Sequence, residues 1–177
     1  MPGRMGIPLD SRPEHAAALG RMLGHWAMLE HLLVGTLSLA LNIRYSRGKV
    51  VWQEFASLRG KLTLIKRLNW AKKDDPLKKE LDEMLVEATK LNEIRNAYIH
   101  ALWVEDGGTF TTPTLRRMRN TSPPNYKKLF RDTEIISVQD IENDVIKIAE
   151  LSAKFADWQI RVQGAPGGSR LEPVSKK

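Results

Sequence analysis

Arg95-Asn96-Ala97-Tyr98-Ile99-His100 gathers a guanidinium, an amide, a phenol and an imidazole in one short stretch of chain. A guanidinium stays charged at every accessible pH and forks onto phosphate oxygens. An imidazole is the side chain whose ordinary titration falls near neutrality. Together they form a set suited to phosphodiesters. His100 can take the proton from a ribose 2′-hydroxyl, and Arg95 can stabilise charge on the crowded phosphorus centre. Such an internal transesterification needs no metal. On a helix Asn96 and His100 are i,i+4 neighbours on one face, and Arg95 reaches round to them on its long side chain.

The helix that positions these groups is periodic. Leu77, Leu81, Met84, Leu85, Ala88, Leu91, Ile99 and Leu102 form its apolar stripe. At about 100° per residue Arg95 projects from the middle of that stripe, in line with Leu77. Burying a guanidinium unpaired is costly, so a compensating group is required. Glu30 stands in the apolar stripe of the first helix, between the directions of Trp26 and Leu33/Leu37. An Arg–carboxylate fork would satisfy both groups. Two readings stay open here. The pair either fixes helix register alone, or Glu30 supports an Arg95 that is used for chemistry.

Around this helix the chain reads as follows. Residues 1–10 are an expected flexible tail. Ser11 with Glu14 makes a capping-box pattern, and Pro13 suits a first helical turn. A helix is predicted to about Ile43 with Ala16, Leu19, Leu23, Trp26, Leu33, Leu37 and Leu41 facing inward. Tyr45-Ser46-Arg47-Gly48 reads as a break. A second helix is predicted over about Trp52–Trp70, with Phe55, Leu58, Leu62, Ile65 and Leu68 inward. Asp75-Pro76 caps the third helix, which runs to about Leu102. Trp103 to Phe110 reads as strand, glycine turn, strand, followed by an irregular stretch from Pro113 to Arg131. Ser137 with Asp140 opens a last helix bearing Ile141, Val145, Ile148, Leu151, Phe155 and Trp158. The expected fold is all-α: a four-helix up-down bundle over residues 11–163, with a small β-hairpin and loop insertion at about 103–136, before the last helix. Residues 164–177 are a second expected tail.

Composition narrows the function. Of the 177 residues 42% are apolar and five are tryptophan, which excludes a disordered chain. With no cysteine, disulfides, zinc–thiolate sites and thiol catalysis are excluded. His15, His25, His31 and His100 form no metal-binding spacing, and no nucleophile-elbow motif supports serine chemistry. No cofactor is called for. The longest apolar run, Leu32–Ile43, is broken by polar residues, and no cleavable leader pattern opens the chain. The expectation is a cytoplasmic protein without a membrane partner.

Net charge is +7 with a pI near 9.7, which favours a polyanionic partner. Arg116, Arg117, Arg119, Lys127, Lys128 and Arg131 lie in a stretch without any acid. It is either an RNA-contacting segment or a solvated loop. Four of the five tryptophans read most economically as packing. Trp103 and Tyr98 stand as candidates for stacking on bases.

An Arg-Asn followed after a short gap by histidine, late in a helical bundle and ahead of a hairpin and final helix, resembles the HEPN superfamily. Arg95, Asn96 and His100 match its signature, and Glu30 resembles an acidic position in several of its groups. The resemblance spans about Pro13–Val162, but only the short motif is specific. It implies a metal-independent endoribonuclease, acting as a homodimer that unites two motifs. The family also includes toxins with protein antitoxins, phage-defence effectors, and members that bind RNA or protein without cutting. In such a ribonuclease His100 would be the acid–base group, Arg95 the phosphate stabiliser and Asn96 an orienting group, with Glu30 and Tyr98 in support.

Overall fold

Proline and side-chain caps set most of the helix boundaries. In the computed structural model the described residues are Leu9, 12–68, 76–100, 103–106, 109–113 and 133–164. Among them are five helices: α1 (Pro13–Leu41), α2 (Tyr45–Gln53), α3 (Leu58–Leu68), α4 (Pro76–Ile99) and α5 (Val138–Gly164). Three strands, β1 (Val104–Asp106), β2 (Thr109–Pro113) and β3 (Thr133–Ile136), lie between α4 and α5. The protein is mostly helical, as expected. Ser11, Trp70, Asp75, Leu102 and the basic stretch Arg116–Arg131 lie outside the described residues.

Pro13 and Pro76 each occupy the first position of a helix, where the missing N–H costs nothing. At the start of α5, Ser137 and Asp140 cap each other. The Ser137 N–H and hydroxyl donate to Asp140 Oδ2 at 2.8 and 2.6 Å, and the Asp140 N–H donates to Ser137 Oγ at 3.2 Å. α1 ends in a Schellman motif. Asn42 takes the left-handed conformation at φ 52°, its N–H donates to the Leu39 carbonyl, and the Ile43 N–H donates to that of Ser38.

The expected second helix is two helices, and the expected break is helical. Gly48 lies inside α2 and is buried against Ser38 of α1, whose hydroxyl stands where a Cβ would go. The real interruption falls at Glu54–Ser57, where Ser57 Oγ accepts the Gly60 N–H at 3.2 Å and caps α3. Phe55, expected inside a helix, sits half-buried in this interruption.

The strands form one antiparallel sheet in the order β1-β2-β3. β1 and β2 pair as the expected hairpin, with Val104 opposite Thr111 and Asp106 opposite Thr109. The sequence reading did not anticipate β3, which adds to β2 with Phe110 opposite Ile136 and Pro113 opposite Thr133. Pro113 sits at the end of its strand, where the lost donor does least harm.

The molecule divides into two compact units. One draws on Met1–Gly24 and Leu91–Lys147, the other on His25–Lys90 and Ile148–Lys177, so α1, α4 and α5 each contribute to both. Buried residues of the first unit include Ala18, Leu19, Met22, Leu91, Ile136, Ile141 and Val145. In it the Arg21 guanidinium bridges to Glu142, and His15 Nε2 donates to the Ile136 carbonyl at 3.3 Å. The second unit buries Trp26, Leu29, Leu33 and Leu37 of α1, Leu81, Met84 and Leu85 of α4, and Ile148, Leu151, Phe155 and Trp158 of α5. Polar side chains interlock these helices. Gln159 Nε2 donates to Leu32 O at 2.6 Å and to Thr36 Oγ1 at 3.0 Å, and Trp158 Nε1 donates to Leu77 O at 2.8 Å. Leu23, expected inward, is exposed, because the buried stripe of α1 runs through Leu19, Met22, Trp26 and Leu29, one step away from it. Among the described residues no single helix is long and apolar enough to cross a membrane.

Two outcomes follow from these boundaries. Gly48→Ala should destabilise the protein by about 1–3 kcal/mol through overpacking against Ser38, despite alanine's higher helix propensity. Chemical denaturation measures it, and a stabilised variant would show that Ser38 moves aside. The Ser137 hydroxyl, and then its N–H, hold the Asp140 carboxyl below its ordinary range. Because the native value is lowered, the cap's contribution is present above the unfolded value of about 3.9 and is lost as pH falls through the native one. The stability gap between wild type and Asp140→Ala should therefore be full at neutral pH and close in acid, as urea midpoints against pH will show.

Candidate functional site

The motif occupies the last turns of α4. Arg95 and Asn96 are half-buried, Tyr98 is buried, and His100 is exposed just past the last helical residue. The Arg95 Nη1 donates to Asn96 Oδ1 at 2.8 Å. The Asn96 carbonyl in turn accepts the His100 N–H at 3.0 Å, the closing backbone bond of the helix. Asn96 thus orients the guanidinium with its side chain and holds the His100 backbone with its main chain. The His100 imidazole makes no hydrogen bond among the described residues and faces solvent. A half-buried, oriented cation and an open imidazole therefore stand within five residues of each other.

What positions them is a clasp centred on Tyr98. Its hydroxyl donates to Asp144 Oδ2 on α5 at 3.0 Å, within the first unit. Its carbonyl, one of those a helix end leaves without a helical partner, accepts the indole N–H of Trp103 at 3.2 Å. The two rings lie nearly parallel, 6° apart in plane with centroids at 6.2 Å. Asp144 is itself buried, and Lys147 Nζ donates to its other oxygen at 2.7 Å. A buried carboxylate and a buried phenol each demand a partner, and here they satisfy one another.

The sequence expectations meet this geometry unevenly. Arg95, Asn96 and His100 come together at one helix end. Tyr98 and Trp103, candidates for base stacking, are buried and stacked on each other, so in this structure they are scaffold. Glu30 is half-buried on α1 and belongs to the second unit, while Arg95 belongs to the first. Arg116, Arg117, Arg119, Lys127, Lys128 and Arg131 lie outside the described residues. Among the described residues no three histidine, aspartate or glutamate side chains gather where a metal ion could be held. Asp144 was missed, although its signal was present: a carboxylate between Ile141, Val145 and Ile148 interrupts an apolar stripe as Arg95 does. No family model, no curated protein and no solved structure matches the chain.

The clasp makes an ordered prediction. Tyr98→Phe leaves a buried acceptor and Asp144→Ala a buried phenol, and each should cost about 1–3 kcal/mol. Asp144→Asn keeps an acceptor for the phenol and should cost less. Urea unfolding with m-values measures all three; losses of less than about 0.5 kcal/mol, as at an ordinary surface position, would show the clasp to be idle.

Proposed function

We propose that the protein is a HEPN-type endoribonuclease that cleaves single-stranded or looped RNA by metal-independent 2′-hydroxyl transesterification. The observation that carries the reading is the end of α4, where a guanidinium held by Asn96 and a solvent-open imidazole stand five residues apart at a braced helix end. His100 takes the 2′-hydroxyl proton, the 2′-oxygen attacks phosphorus, and the 5′-oxygen leaves with a proton from an acid. Arg95 stabilises the charge that builds on the phosphoryl oxygens. Asn96 keeps Arg95 in place.

In this reading the helices form an up-down four-helix bundle, with α2 and α3 together filling the second position. A homodimer belongs to it as well. Cleavage uses both a base and an acid, each chain supplies one open histidine at the site, and a twofold axis supplies the second. A toxin held by a protein antitoxin, or a phage-defence effector, in the cytoplasm, is the setting that suits such an activity. The second reading is a non-catalytic HEPN-like module that binds RNA or protein. The Arg95–Asn96 hydrogen bond favours it, because it occupies part of the guanidinium within the helix itself.

His100→Ala separates the two. Cleavage of RNA should persist in EDTA, leave DNA intact and yield 2′,3′-cyclic phosphate ends or their opened form. The variant should lose about two orders of magnitude or more in rate, as removal of a general acid–base group does. Its helicity and oligomeric state should match wild type, since His100 is exposed. Equal cleavage by wild type and variant would remove the catalytic reading.

A further inference from the structure

Residues 44–67, which span α2 and α3, carry a strong local excess of positive charge. From Arg44 to Arg67 there are seven cations and one acid, Glu54, a local net charge of +6 that equals that of the acid-free stretch Leu115–Arg131. Arg44, Arg47, Lys49, Arg59, Lys66 and Arg67 are all exposed. The seventh, Lys61, lies 4.6 Å from the Trp52 ring centroid, a cation–π contact that ties α3 to α2.

Several cations elsewhere among the described residues are paired locally. Arg21 pairs with Glu142, Lys79 with Glu83, Lys147 with Asp144, Lys154 with Glu87, and Arg161 with Glu80 and Asp157. Among the described residues none of the six exposed α2–α3 cations has an ion pair. Several also stand where a helix disfavours them. Arg44 is the N-cap of α2 without a side-chain capping bond, Arg47 follows in the first turn, and Arg59 and Lys61 lie in that of α3; neither turn has an acid. Positive charge at the positive end of a helix dipole is unfavourable until an anion arrives.

We propose that α2 and α3 form a docking surface for the sugar–phosphate backbone of a single-stranded nucleic acid. It lies at residues other than the cleavage motif and is independent of the chemistry at His100. Tyr45, partly exposed and bonded through its hydroxyl to His31 Nδ1 at 2.7 Å, offers an aromatic face between Arg44 and Arg47. Cations along a backbone with an aromatic among them is how proteins hold single strands without reading sequence. A membrane surface fits less well. A helix that lies on lipid presents a broad apolar face, whereas Trp52, Leu62 and Ile65 are buried within the protein.

The test is binding of a short 2′-O-methyl oligoribonucleotide, which lacks the hydroxyl needed for cleavage, across a salt series. Removing Arg44, Arg47, Arg59 and Lys66 as the fourfold Gln variant should weaken binding at low salt by about tenfold or more. The log–log salt slope should flatten by about 0.7 per lost phosphate contact. A control variant with Arg21, Lys79, Lys154 and Arg161 changed to Gln loses the same charge and should keep its slope. On unaltered wild type, the oligonucleotide should protect Lys49 and Lys66 from acetylation and leave Lys79 and Lys154 reactive. An equal loss in the control variant, no protection of Lys49 and Lys66, or stronger and equally α2–α3-dependent binding to phosphatidylserine vesicles would each overturn the proposal.

Discussion

The buried hydrogen bond from Tyr98 to Asp144 sets the terms for the C-terminal end of α4. A helix end leaves carbonyls without helical partners, and a buried phenol or carboxylate leaves polar atoms without water. Here these needs are met by one another. Asp144 takes the Tyr98 hydroxyl, Trp103 takes the Tyr98 carbonyl, and the Trp103 ring lies parallel to that of Tyr98. Lys147 supplies the positive charge that compensates the Asp144 carboxylate. One residue is thereby held at its ring, its hydroxyl and its main chain. The direction in which the chain leaves α4, and so the place of His100 and the start of β1, follows from that.

Within the motif the helix divides labour by angle. Tyr98 turns inward and is fixed by packing. Arg95 is half-buried, where a charge feels less screening than on the surface yet can still meet an anion. His100 lies past the last helical residue and is open to solvent. Asn96 joins the two residues through different atoms, side chain to Arg95 and main chain to His100. A reactive group that must be placed to a fraction of an ångström is best carried on a rigid element with a locked supporting layer, and this helix end has that form.

Electrostatics divides the surface cations into paired and unpaired groups. Acids along α4 and α5 meet cations across or along the helices, so that much of the surface charge is locally cancelled. Such pairs add little stability individually. Among the described residues they leave the exposed cations of α2 and α3 as a group without ion pairs. The acid-free stretch from Leu115 to Arg131 stands out on a linear reading, whereas the α2–α3 surface emerges only once the paired cations are set aside.

Local pattern was enough to read a large part of this protein. The stripe Ile141, Val145, Ile148, Leu151, Phe155 and Trp158 is buried throughout, as its spacing predicts. Pro13, Pro76 and the Ser137–Asp140 box open helices where their chemistry says they should, and β1 pairs with β2 as the expected hairpin. Arg95, Asn96 and His100 share a helix end because spacing along a helix dictates it. Tertiary contact decided the rest. Gly48 looks like a breaker, yet it is the residue that lets α2 lie close to Ser38, while Ser57 caps a helix start that no periodicity marks. Tyr98 and Trp103 have the character of stacking platforms until an aspartate 46 residues from Tyr98 takes the phenol and buries both rings. Periodicity, caps and turns are properties of neighbours in the chain, and sequence records them directly. Which partner satisfies a buried polar atom depends on elements far apart in the chain, and only folding brings them within a hydrogen bond's length.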